Sequence, residues 1–475
     1  MCAESPMIRR MKNKRFSSKA NFPKKGMIRI MLGVFAIVIG VNVFGALFNN
    51  DSLDKVNNPK VIKKNEKKEP KSEQKKYPFS SSDVSDLLNN NHHFESTMDT
   101  LARNGNSYFV HYSIDTTLQK LGNKLMKMYH PKYGAVVAMD PVTGRILSLV
   151  SYVNDSVPKI GDDDLYCRST FPAASIFKTI TAAAVIEKAN YSSQSIVRHV
   201  GKKSTLYKYQ LLENLSSYTE LPFEEAYANS INPVFARLAM YVVGENSISE
   251  YGSKFGFNSS VPFELSNESS RLIHTDTAFT LAELASGFNQ NTTISPLLGA
   301  LIASAICENG AMPKPSLVDS IKNGDKCEYK AEAQTWRTPI KENTARELRV
   351  MMHSVAKYGT ARKSFRTIRQ TALFDTLEWG GKTGSVDKDS AGRVDWFIGF
   401  AKNPKNRNER IAVGVVTVHG AYWTVHSSYI AAEYFRTYIN TLRKNEKLKK
   451  EQIETLVSKD TGESPKQQNK AQAHM

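Results

Sequence analysis

After residue 105 the chain carries strand-like runs at both ends and a long helical block between them. GAVVAMD (134–140) and RILSLVSYV (145–153) flank the short turn PVTG. That pattern reads as a β-hairpin. WGGKTGSV (379–386), VDWFIGFA (394–401) and ERIAVGVVTV (409–418) form a second group of strands, with NPKNRNE as a hairpin connection. YFVHYSID (108–115) adds an earlier strand, and TTLQKLGNKLMKMY (116–129) spaces Leu118, Leu121, Leu125 and Met128 along one helix face. The middle is helical in pattern, as in ASIFKTITAAAVIEKA (174–189) and PVFARLAMYVV (233–243). A last helix is expected near 427–444. Apolar strands need partners, and the simplest arrangement lets both ends share one sheet. The expectation is an α+β fold: an antiparallel sheet from both chain ends, flanked by helices, with a mainly helical region inserted.

The N-terminal part reads differently. Arg9, Arg10, Lys12, Lys14, Arg15, Lys19, Lys24, Lys25 and Arg29 precede 30–50, which holds no charged residue. A stretch of that length and character predicts a retained transmembrane helix. Basic residues before it place the N-terminus in the cytoplasm. The expected layout is a basic cytoplasmic tail (1–29), a transmembrane helix (30–50), a polar linker (51–105), a catalytic domain (106–444) and a disordered charged tail (445–475). The net charge of +18 raises nucleic acid as a partner. Much of it lies before residue 30 and no nucleic-acid motif accompanies it, so no nucleic-acid partner is expected. No cysteine pair or histidine cluster suggests a metal site, and no cofactor is expected.

Three short segments could carry chemistry. Ser175 and Lys178 in TFPAASIFKTITAAA sit three apart at the start of a helical pattern, so they share one face. A serine hydroxyl is a weak nucleophile without a base, and a lysine among apolar neighbours can lose its proton. The spacing alone is weak evidence. It recurs at Ser72–Lys75, Ser156–Lys159 and Ser385–Lys388, although not within an apolar helical pattern. Ser230 and Asn232 in AYANSINPVF open another helix, where a capping role would also suit them. Lys382, Thr383, Gly384 and Ser385 lie on a strand after two glycines and could hold a carboxylate.

Taken in order, Ser-x-x-Lys, Ser-x-Asn and Lys-Thr-Gly-Ser resemble the signature of penicillin-binding proteins and serine β-lactamases. The flanks SIDTTLQ, GAVVAMDPVTGRILSLVS, TFPAASIFK and VDWFIGFA resemble the penicillin-binding transpeptidases in particular. The resemblance spans roughly 108–440, with Ala174 where glycine is common.

The resemblance implies a peptidoglycan D,D-transpeptidase with a β-lactamase/transpeptidase-like fold. Ser175 would be the nucleophile, Lys178 its base, and Ser230 the relay toward the leaving group, tuned by Lys382. Asn232 would bind the substrate amide and orient Lys178. Thr383 and Ser385 would engage the terminal carboxylate, beside Gly384, and the Ser175 and Ser385 N–H groups would form the oxyanion hole. Implied partners are peptidoglycan stem peptides, β-lactams as covalent inhibitors, the cytoplasmic membrane, and a glycan-polymerising or cell-wall assembly protein. The catalytic domain would lie outside the membrane.

Alternatives stay open. Water as acceptor gives a D,D-carboxypeptidase. Fast deacylation gives a β-lactamase, for which Glu264 in PFELSN invites comparison although a structural role suits it better. A penicillin sensor and a non-enzymatic wall-binding scaffold remain. With about 57 residues between segment 30–50 and the first predicted strand, the chain is not expected to polymerise glycan. Cys167 reads as a small packed residue, not a second nucleophile, and His419 as a surface or packed residue. Trp396 and Phe397 read as sheet core; Tyr422 and Trp423 could line a cleft beyond that sheet, although packing is favoured for both.

Overall fold

The computed structural model describes residues 77–88, 94–159, 164–388 and 392–461. Contacts divide the chain into two units, Met1–Gln74 and Lys75–Met475, of which the first lies outside the described residues.

The main sheet has five strands in the order Glu378–Lys388, Gly392–Lys402, Arg410–His419, Tyr133–Met139, Ile146–Val153. Every neighbouring pair is antiparallel. Both chain ends therefore build one sheet, and the α+β architecture expected from the sequence is the one observed. Tyr133–Met139 and Arg410–His419 are buried at every position. Strands buried on both faces read as continuous apolar runs, which AVVAM and IAVGVVTV are.

Helices cover both faces. On one, Pro296–Cys307 packs so closely that a Cβ on Gly414 would lie 2.2 Å from the Pro296 carbonyl oxygen. The opposite face carries Phe397, whose ring lies 5.4 Å from Phe365, which in turn lies 6.1 Å from Phe435 of the C-terminal helix Ser427–Thr461. Trp396 and Phe397 are fully buried, as their place in the sheet core required.

A second sheet joins Met98–Arg103, Asn106–Tyr112, Val318–Asn323 and Lys326–Lys330. Here the sequence reading falls short. Residues 51–105 read as a tether with one short helix; Ser81–Leu88 is such a helix, but Met98–Arg103 is a paired strand that was not expected. The overlooked signal is Asn104-Gly105. Both have positive φ, 52° and 77°, and Arg103 pairs with Asn106 across them. This is the two-residue hairpin turn that Asn-Gly favours. At the other end the helix runs on to Thr461, past the point near 445 where its charge suggested disorder.

The membrane expectation is corrected. Among the described residues, no helix is long and apolar enough to cross a membrane. The apolar helix Pro296–Cys307 has 12 residues and is buried in the domain core, and the 35-residue C-terminal helix is rich in Lys and Glu. Segment 30–50 lies outside the described residues. A single-pass membrane location and the membrane as partner are therefore not carried forward.

Candidate active site

The segment that carries Ser175 begins with a strained turn. Phe171–Pro172 pairs with Thr293–Ile294, and Trp396 Nε1 donates to the Pro172 carbonyl at 2.8 Å. Ala174 then takes φ +49°. That conformation is unfavourable for a residue with a Cβ, and it clusters at functional sites. A 3₁₀ turn, Ala174–Phe177, follows and leads straight into the helix Lys178–Ala189. Ser175 is thus delivered at a helix entrance, with Lys178 one turn further on.

Lys178 is fully buried. Its Nζ lies 2.8 Å from Ser175 Oγ and 2.7 Å from Asn232 Oδ1, and it also bonds the Ser286 carbonyl. That carbonyl ends the helix Ala278–Ser286, where orphan acceptors collect. A helix C-terminus favours a cation. Burial opposes it, and the neighbouring Lys382 adds like-charge repulsion. The outcome is a Lys178 amine held well below the usual lysine range.

The second segment also stores strain. Ser230 has φ +55° and its N–H donates to the Tyr227 carbonyl. Asn232 starts the helix Asn232–Leu238 with Pro233 behind it, so its side chain is fixed by the helix entrance. Its Nδ2 donates to the Ser204 carbonyl at 3.0 Å, which leaves Oδ1 for Lys178.

Strand Glu378–Lys388 supplies the third segment. Lys382 is fully buried, and its Nζ bonds Ser230 Oγ at 3.0 Å and the Thr383 carbonyl at 2.8 Å. Burial pushes its pKa down to about 7. Thr383 Oγ1 lies 2.5 Å from Thr360 Oγ1, and Ser385 Oγ donates to Asp395 Oδ1 at 3.2 Å. A Cβ on Gly384 would lie 3.1 Å from Ile176 Cγ1, so this glycine lets the strand pass close to the turn that carries Ser175.

A low Lys382 pKa has a measurable consequence. The unfolded chain holds this proton up to about pH 10.4, whereas the folded one releases it near 7. Between those values the unfolded state binds more protons, so stability rises with pH. Urea midpoints should climb from pH 7 to pH 9, and Lys382→Met should climb less. Equal rises in both would argue that Lys382 stays charged when folded.

Ser175, Ser230, Asn232, Thr383 and Ser385 share one cavity of about 350 Å³. The sequence named these five from three separate segments, and folding brings them together around the two buried lysines. It did not name Thr360, Ser286, Gly287 or Asp395, none of which belongs to a motif. Asp395 alone had a legible signal, a carboxylate within the apolar run VDWFIGF. Trp423 lines the cavity and its ring stacks on His419 at 5.3 Å. Tyr422, expected to pack, is 84% exposed, while His419 is buried.

Glu264 does not line the cavity. Its buried carboxyl accepts from Ser316 Oγ and the Leu317 N–H, and burial raises its pKa. It ties one loop to another. Cys167 is fully buried, with its thiol pushed well up by that burial.

A family model of the penicillin binding protein transpeptidase domain matches residues 134–440. The chain belongs to this family. The family is that of penicillin-binding-protein-type serine acyltransferases, which includes transpeptidases and carboxypeptidases. It is 25% identical over 317 residues to stage V sporulation protein D of Bacillus subtilis, covering 62% of this chain and 46% of that one. The chain thus spans about half the length of that relative. It is 24% identical over 355 residues to the peptidoglycan D,D-transpeptidase PbpA of Mycobacterium tuberculosis, covering 67% and 68% of the two chains. Among solved structures, it resembles the D,D-transpeptidase domain of a peptidoglycan glycosyltransferase from Eggerthella lenta. That match has a TM-score of 0.59 at 20% identity and covers 76% of this chain and 87% of that one. An imipenem acyl-enzyme of penicillin-binding protein A from Mycobacterium tuberculosis matches with a TM-score of 0.56 at 23% identity, covering 69% and 78%.

Proposed function

We propose that this penicillin-binding transpeptidase crosslinks peptidoglycan stem peptides through an acyl-enzyme on Ser175. The supporting observation is the set of partners around Lys178. A neutral amine has two hydrogens and one lone pair. Asn232 Oδ1 and the Ser286 carbonyl can only accept, so they take both hydrogens. The lone pair is left for the Ser175 hydroxyl, 2.8 Å away.

From there the steps follow. Lys178 takes the Ser175 proton as Oγ attacks the carbonyl between two terminal D-alanines. The N–H groups of Ser175 and Ser385 receive the developing oxyanion. Ser230 passes a proton to the leaving D-alanine amine as the C–N bond breaks and takes one from Lys382, bonded at 3.0 Å. An amine from a second stem peptide then attacks the ester, its proton passes to Lys382 through Ser230, and Lys178 returns its proton to Ser175 Oγ as the ester C–O bond breaks. A β-lactam would acylate the same oxygen, but its leaving amine stays tethered in the ring-opened product. Thr383 and Ser385 line the cavity where the substrate's C-terminal end would lie, with Gly384 between them in the strand and Lys382 buried beside them.

The test is intact-protein mass over time with a fluorescent β-lactam, using the full chain and Ser175→Ala. The expected result is a stable adduct of one β-lactam, lost in the variant. An adduct that clears within seconds would make the protein a β-lactamase. No adduct on the folded protein would overturn the acyl-enzyme reading in favour of a scaffold. With a D-Ala-D-Ala peptide and an amine acceptor, transfer rather than hydrolysis separates transpeptidase from carboxypeptidase.

A further inference from the structure

Residues 200–212 form a tightly bonded loop to which the steps above give no role. At its centre Gln210 is fully buried. Its Oε1 accepts from Thr205 Oγ1 at 3.0 Å and from the Tyr207 N–H at 2.8 Å. Its Nε2 donates to the Val200 and Lys202 carbonyls at 2.9 and 3.0 Å. All four bonding positions of the amide are thus taken from within the loop, which pins its shape. On one side the loop joins the active site. The Asn232 N–H donates to the Lys203 carbonyl at 2.8 Å, and Ser204 lines the cavity.

On its other side the loop carries aromatic rings. Leu206 and Leu211 pack with Ala236 and Ala282 in a small apolar cluster apart from the main core. Tyr207, Tyr209, Leu212, Tyr241 and Phe279 are exposed near that cluster. Tyr241 bonds the Leu211 carbonyl at 2.6 Å, and Phe279 precedes Ala282 by one helical turn. The Tyr207 and Tyr209 rings are nearly parallel, 16° apart, with centroids separated by 5.9 Å. They are 55% and 49% exposed, so at that offset each keeps an open face. Lys202, Lys203 and Lys208 are exposed on the same loop.

The mixture of rings and ammonium groups says what such a surface holds. The core of a protein–protein interface is depleted in lysine. A sugar ring is apolar on its faces, where C–H bonds project, and polar around its rim. Its face can lie on a tyrosine ring while its hydroxyl and acetamido oxygens accept from lysine. Reach narrows the choice further. An extended residue spans at most about 3.6 Å, so Tyr207 lies within about 11 Å of Ser204 at the cavity wall. The sugar that carries a short stem peptide is held near the cavity by the same limit.

We propose that Tyr207 and Tyr209 form a stacking platform for the glycan strand to which the substrate peptide is attached, a chain of β-1,4-linked N-acetylhexosamines. The buried Gln210 amide holds both rings in place, and the three lysines supply donors to the rim of the sugars. The choice of glycan rests on the Ser175 acyl-enzyme reading, because that reading brings a glycan-linked peptide to the cavity.

The probe is a neutral tetramer of β-1,4-linked N-acetylglucosamine, titrated by calorimetry into the full-length protein. Its lack of charge removes simple attraction to the lysines. The unmodified protein should bind it. Tyr207→Ser with Tyr209→Ser should bind at least about tenfold more weakly, the scale of an aromatic stacking contact. Tyr207→Phe with Tyr209→Phe should bind as the unmodified protein does, because the ring face makes the contact. Unchanged β-lactam labelling of Ser175 in both pairs verifies that the cavity wall is intact. Nitration with tetranitromethane, read by peptide mass, needs no variant. The tetramer should slow it at Tyr207 and Tyr209 and leave the exposed Tyr422 unaffected.

No binding up to the solubility limit of the tetramer would overturn the proposal and leave the rings as a protein-docking surface. Equal binding by the serine pair, lost binding in the phenylalanine pair, or nitration of Tyr207 and Tyr209 indifferent to the tetramer would overturn it as well. If a β-lactam labels Ser175 while the tetramer does not bind, only this inference fails. If the tetramer binds and no β-lactam labels Ser175, the acyl-enzyme reading fails and the platform stands as a wall-binding site.

Discussion

Replacing Lys178 with methionine should lower the rate of β-lactam acylation by roughly 10²–10⁴-fold, the span of a general-base contribution. The size follows from how little else can serve. Ser175 Oγ lies 2.8 Å from an amine whose other two contacts are both acceptors. Methionine has nearly the same length and no lone pair basic enough to take a proton. Lys178→Arg should fail as badly, since a guanidinium stays charged at any working pH. The measurement is the second-order rate of adduct formation at pH 7.5, read by intact mass, with near-ultraviolet circular dichroism to verify packing. A methionine variant that keeps a tenth or more of the original rate would rule out Lys178 as the base. Lys382 would then be the remaining candidate, because burial brings its amine to about 7 and it bonds Ser230.

The sequence made the sheet and the motifs legible for the same reason. Strands such as GAVVAM and IAVGVVTV are buried on both faces, so their apolar runs are uninterrupted and need no partner to be recognised. Ser175, Lys178, Ser230, Asn232 and Lys382 keep fixed local spacings on helix entrances and one strand, which survive as short patterns. What escaped depends on contacts between distant segments. The Ser286 carbonyl bonds Lys178 across 108 positions, and nothing in the residue type of Ser286 announces that its backbone will do so. Asp395 meets Ser385 only through strand register. The hairpin at Asn104-Gly105 was missed for another reason: the polar, charged composition around it outweighed a strong two-residue signal. The same weighting cut the C-terminal helix short: residues 447–455 are exposed at every position, so no apolar stripe marks that the helix continues there.

Gly287 offers the second large effect, through geometry alone. It has φ +66° and caps the helix Ala278–Ser286. A Cβ built on it would lie 1.9 Å from the Ala174 carbonyl oxygen and 3.0 Å from the Ser175 nitrogen. No such contact can be relieved by turning a side chain, because both atoms are backbone. Gly287→Ala must therefore push the helix end and the nucleophile turn apart. That turn already holds Ala174 at φ +49°, so it has no low-energy conformation nearby to relax into. The same movement pulls the Ser286 carbonyl away from Lys178 and shifts Ser175 off its base. Displacements near 1 Å at a reacting group cost about 100-fold in rate. Acylation should fall by at least about that factor, although glycine contributes no reacting atom. Thermal unfolding should also come earlier, by the strain of a left-handed alanine and the displaced turn. Normal acylation by Gly287→Ala would mean that the turn and the helix end move freely against each other. The three polar contacts around Lys178 would then describe one of several arrangements, and the base assignment would lose its structural support.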